Sequence, residues 1–221
     1  MQDFNPTLYG KIFSSLLDPN RLNDLGVGQE NTDIEKILNE LDLTTAFESK
    51  SVGDTASANA CISALWLHHD FLDQSHRISQ NIPTSSGSFW HGIMHRREGD
   101  YWNSKYWFRQ VGSHPVFTDL HAAVKELFHS LDSRFAPEGA SASSDKSGSS
   151  TRPDRVNDKN QDIIKTMRLV EKSSWDPFLY VDMVQEHIGS ATETETVLKQ
   201  IQRLEWWFLF DYCYKKSLGK V

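Results

Sequence analysis

Apolar positions along the chain recur at helical rather than strand spacing. Ile34, Ile37, Leu38 and Leu41 form one stripe, and Thr32 with Glu35 supplies a capping-box signal for a helix beginning near Asp33. From Ala58 to Ser79 the apolar positions Ile62, Leu65, Trp66, Phe71, Leu72 and Ile78 predict helix, with a break at His69-Asp70. A polar loop, Pro83 to Gly87, precedes a second run from Phe89 to Val111, which Gly99-Asp100 interrupts as a turn. Pro115 opens a helix over Val116 to Leu131, with Leu120, Val124, Leu127 and Phe128 on one face. Further helices are expected from Ile163 to Val170, from Phe178 to Ile188 behind Asp176-Pro177, and from about Glu193 to Lys216. The apolar content of Trp206 to Phe210 requires that part of the last helix to be buried, either within the chain or against a second copy. No segment alternates long enough to predict a strand, so the expected fold is all-α, a set of packed helical hairpins.

The pattern also organises the chain. Residues 1–56 read as short N-terminal helices and 57–135 as a helical-hairpin core. Residues 161–221 are C-terminal helices that pack back on it, all within one α-helical domain. Residues 136–160, rich in Ser, Gly, Pro and charge, bury too little apolar surface to offset their ordering entropy and are expected to form a flexible linker. Sliding the sequence by 29 residues sets Ser63 on Gly92, Asp70 on Gly99 and Ser75 on Ser104, a weak internal repeat. The second copy, Gly92 to Pro115, resembles a tetratricopeptide-type helical hairpin. It departs from that pattern at His95, at Val111 and in the length of the offset.

The same segment carries a second likeness. Leu72 to Phe117 contains HGIMHRRE (His91–Glu98), then DY (Asp100–Tyr101), KYWFR (Lys105–Arg109) and VG-HPVF (Val111–Phe117). These motifs are similar to the signature of a bacterial family of unassigned function. The resemblance implies membership and carries no chemistry with it.

Composition narrows the classes. Hydrophobic residues make up 38% and charged residues 24%, ordinary for a globular chain. Acids outnumber bases by 30 to 23, for a net charge of −7, so no nucleic-acid partner is expected. No run approaches a membrane span, and Met1 to Gly10 lacks the basic-then-apolar pattern of a secretory leader, so a cytoplasmic location is expected. Cys61 and Cys213 have no metal-type spacing and read as buried packing.

The chemistry-bearing residues cluster. Five of the nine histidines, His68, His69, His76, His91 and His95, fall within 28 residues. His91 and His95 share a helix face, and Glu98 prolongs the row. If neighbouring helices pack together, Asp73 and His76 can face them. These five side chains then form a candidate site for zinc, iron or manganese, with Glu98 as ligand or general base. No HExxH is present, and the single ExxH pair, Glu126 with His129, falls short of the two that a ferritin-like site uses. The structural alternative makes His91 and His95 hydrogen-bonded core residues and makes His68 and His69 imidazolium groups at a helix C-terminus. It leaves His114, His121 and His187 as surface residues or helix caps.

Arg96, Arg97, Tyr101 and Lys105 are candidate ligand contacts among Trp102, Tyr106 and Trp107, as a groove for a partner or as an anion pocket. Their plain alternative is pairing with Glu98 and Asp100. The first functional expectation is a protein-interaction or self-association module, with a protein partner or a homodimer. The alternative is a metal- or small-ligand-binding enzyme.

Overall fold

The computed structural model describes residues 4–48, 50–135 and 166–221. Ten helices are named here: α1 Lys11–Leu16, α2 Glu35–Asn39, α3 Leu43–Ala46, α4 Thr55–His68, α5 Leu72–Ser79, α6 Ser85–Glu98, α7 Tyr101–Val111, α8 Val116–Phe135, α9 Pro177–His187 and α10 Glu193–Ser217. Residues 166–171 are also helical, and no strand occurs among the described residues. The fold is all-α. The expected linker, 136–160, lies outside the described residues.

Local chemistry sets the helix ends. Asp54, Thr84, Asp100, Asp176 and Thr192 each precede a helix and accept a hydrogen bond from a backbone N–H of its first turn. Asp70 and Gly99, which end the first arms of two hairpins, both have left-handed backbones, with φ of 69° and 88°. The segment expected to be a helix from Asp33 is a 3-10 turn at Thr32–Ile34 followed by the short α2. Asn31 precedes it without a side-chain cap, and Ile37 of the predicted stripe is exposed.

The hairpins α4–α5 and α6–α7 repeat one another at the 29-residue offset. At the first crossing the Ser63 hydroxyl donates to the Ser75 carbonyl at 3.0 Å. At the second, the Ser104 hydroxyl donates to the Gly92 carbonyl at 2.7 Å. Small residues here let the helices approach: a Cβ on Gly92 would lie 3.1 Å from the Phe108 ring. α5 packs on α6, which joins the two hairpins into a stack.

α4 is buried on nearly every side from Ser57 to His68, which marks it as the central helix. α10 lies along it. Trp206 stacks on Phe210 at 5.0 Å, and its indole N–H donates to the Ala64 carbonyl. Phe210 meets Tyr9 and Phe13 edge-on, and Phe4 stacks on Trp207. The Trp206–Phe210 segment therefore buries within the chain, against α4 and the N-terminal helices. Cys61 and Cys213 are buried free thiols. Among the described residues, no helix is long and apolar enough to cross a membrane.

Candidate metal centre

His76 comes from α5, His91, His95 and Glu98 from α6, and Asn103 and Trp107 from α7. The hairpin α6–α7 and its contact with α5 bring all six together. His76, His91 and His95 each offer a ring nitrogen, and these three atoms lie within 4.8 Å of one another. His91 and His95 point their Nε2 atoms at each other at 2.9 Å, as the i,i+4 relation allows. The His76 ring stands edge-on to both, with centroids 4.7 and 5.3 Å away. Trp107 stacks on His91 at 4.0 Å and fixes its plane.

Protonation follows from these partners. The Glu98 carboxylate lies 3.0 Å from His95 Nδ1 and can only accept, so a neutral His95 carries its proton there and turns a lone pair outward at Nε2. That lone pair faces His91 Nε2 at 2.9 Å and Asn103 Nδ2 at 3.1 Å. His91 Nδ1 is buried and has no hydrogen-bond partner. A neutral His91 protonated at Nε2 donates to the His95 lone pair; protonated at Nδ1 instead, it turns a second lone pair toward it, and a cation between the two nitrogens would be held by both.

Burial, and then the neighbouring His95 and His76, push His91 down to about 3. Burial also lowers His95, against the opposing pull of Glu98. Both imidazoles are therefore neutral near pH 7, as ligation requires.

The spacing suits a small ion. Zinc–nitrogen bonds of about 2.0–2.1 Å at tetrahedral angles place ligand nitrogens about 3.3 Å apart. The His91–His95 pair needs to open by a few tenths of an ångström and His76 to close in. The cluster lies at the rim of the core, since His91 and His95 are buried, His76 is half-buried and the Glu98 side chain is 50% exposed.

The remaining sequence candidates lie elsewhere. Asp73 is exposed and outside the three-histidine group. Arg96 is fully buried and pairs in a fork with Glu205 of α10, its guanidinium lying 4.5 Å over the Tyr180 ring. Arg97 is 2% exposed and is held by Asp70, the Leu67 carbonyl and the Gly26 carbonyl. The pairing of these arginines with Glu98 and Asp100 is thus replaced by long-range partners, and neither arginine lines an open groove. Tyr101 is half-buried, and Lys105 pairs with Asp182.

His68 and His69 are not helix-terminal imidazolium groups. Burial lowers both, and His69 Nε2 contacts the Leu16 carbonyl at 2.7 Å. His114, His121 and His187 are buried rather than at the surface, and His114 acts as a cap, its Nδ1 accepting from the Val116 N–H that opens α8.

Asn103 and Trp107 had no signal of their own in the sequence. Their four-residue spacing on the helix facing His91 and His95 is the feature that could have marked them. Comparison of the chain with family models, with curated proteins and with solved structures finds no match.

Proposed function

We propose that this protein binds a divalent transition-metal ion, zinc in the first place, through His76, His91 and His95. The observation that carries the reading is the convergence of three ring nitrogens, one of them already oriented by a carboxylate on its far side. Three imidazoles with no carboxylate ligand suit zinc better than manganese, which favours oxygen donors, or non-haem iron, whose usual set adds a carboxylate. Glu98 is spent on His95 Nδ1, the usual arrangement of a carboxylate behind a metal-bound histidine. Three protein ligands leave a fourth position for water, and a bound zinc ion would supply an acidified water there, the basis of hydrolytic chemistry. A reducing, cytoplasmic setting accords with the two free thiols.

The test is elemental analysis of tag-free protein purified with zinc present, beside the double variant His91→Ala/His95→Ala. Near-stoichiometric zinc in the wild type, absent from a folded double variant, is the expected result. Folded wild type that takes up no metal, or a double variant that retains it, contradicts the reading.

A second reading, self-association, is supported by one feature. Trp102 is 75% and Tyr106 41% exposed, and their rings lie 6.4 Å apart and nearly parallel on the outer face of α7. A homodimer built on this pair would dissociate in Trp102→Ala/Tyr106→Ala. Light scattering that finds a monomer at every accessible concentration rules it out.

A further inference from the structure

The face of α6 opposite His91 and His95 borders a second feature. Arg97 on that face, Arg21 from the N-terminal segment and Arg203 from α10 wall a cavity of about 20 Å³, together with Gln202, Trp206 and Trp207. Three arginines line it, and one carboxylate, Asp70, is shared by two of them. Asp70 lies 2.5 Å from both Arg21 and Arg97 and also accepts from Asn23 at 2.8 Å. Arg203 has no carboxylate partner among the described residues. Its guanidinium rests over the Trp207 ring at 4.8 Å.

The Nε–H groups of Arg21, Arg97 and Arg203 are all buried and without an acceptor, although Arg97 is only 2% exposed. The neighbouring His68 adds no charge of its own. Burial, then His69, then Arg21 and Arg97 hold it well below its ordinary range.

Buried arginine N–H groups are normally satisfied, and a surplus of buried positive charge is normally neutralised. We infer that this cavity is a binding site for an oxyanion, the carboxylate or phosphate group of a small metabolite, gripped by Arg203 and the free N–H edges of Arg21 and Arg97. A space of this size holds about one water-sized group, so an oxygen of the anion enters while the remainder stays outside. Arg21 and Arg203 are only partly buried and form the approach from solvent. The site shares no residue with the three-histidine cluster, so either can fail without the other.

The experiment titrates the purified protein with acetate and, separately, with inorganic phosphate at constant pH and ionic strength, reading tryptophan fluorescence and thermal midpoint. Trp206 and Trp207 on the wall make the emission a direct reporter. The inference predicts a saturable response to at least one anion, and which one responds identifies the head group. In Arg203→Gln the affinity should fall by about tenfold or more, as for a lost charged hydrogen bond. Arg203→Lys, which keeps the charge without the fork, should fall between, and Arg109→Gln on the exposed face of α7 should match wild type. Circular dichroism confirms that the variants are folded. The inference is overturned if neither anion gives a saturable response, or if both Arg203 variants respond as wild type does.

Discussion

Arg96 and Glu205 are both fully buried and satisfy each other's charge across 109 residues of sequence. Burial raises the Glu205 carboxyl against the pull of Arg96. Removing one member leaves an uncompensated charge in the core, which costs far more than the pair contributes. Glu205→Ala is therefore expected to lose about 3–5 kcal/mol in urea unfolding. A loss below about 1 kcal/mol would show that water reaches Arg96. The same residues show where sequence reading stops. Arg96 and Arg97 stand beside Glu98 and Asp100, and proximity in sequence suggested those partners. The actual partners, Glu205 and Asp70, are chosen by tertiary packing, which no local spacing encodes. The histidines were more legible, because an i,i+4 relation on one helix fixes the mutual direction of His91 and His95 whatever the helix packs against. His76 needed only the packing of adjacent helices. Asp73, three residues away on the same short helix, falls on the solvent side.

At the scale of elements, the breaks between helices were legible where their causes are local, and several helix starts were not. Asp100 and Asp176 cap where a turn and a helix start are expected, and Gly99 turns the chain where its missing Cβ permits. Asp54 and Thr84, by contrast, cap helices that begin at Thr55 and Ser85, ahead of the expected Ala58 and Phe89. The segment near Thr32 departed because its capping side-chain bond does not form, leaving a 3-10 turn. The repeat was legible as small residues at a fixed offset, and its reason is the matching serine contact at each crossing. This makes a specific claim about Ser104, which is fully buried between α6 and α7. Ser104→Val adds bulk at the closest approach and removes the bond to the Gly92 carbonyl. A loss of about 1–3 kcal/mol in thermal or urea unfolding is expected. Unchanged stability would mean that the crossing can widen freely.

Over the whole molecule, buried neutral histidines make stability depend on pH. His114 illustrates the sign. Its Nδ1 accepts from the Val116 N–H at 3.3 Å and its Nε2 lies 3.1 Å from the Ser86 hydroxyl. Burial, and then Lys216, push it down to about 4 from an ordinary 6.5. Between those values the unfolded chain binds the proton and the folded chain does not, so stability rises with pH. The contribution is complete above the unfolded value and is lost as pH falls toward the folded one. At most it amounts to about 3 kcal/mol. Urea midpoints should fall steadily from about pH 7 to about pH 5, and His114→Gln should flatten part of that slope. An identical slope in the variant would assign the effect to other groups.

Cobalt(II) titration of metal-free protein is the sharpest probe of the three imidazoles. Cobalt takes the place of zinc and reports its geometry through visible absorption. Bands of a four- or five-coordinate nitrogen-rich site that saturate at one ion per chain are the expected result. Zinc should displace them, they should be absent from His91→Ala/His95→Ala, and their affinity should fall about 10–100-fold in Glu98→Ala. A spectrum that stays that of hydrated cobalt throughout the titration of the folded wild-type protein would contradict metal binding by this cluster.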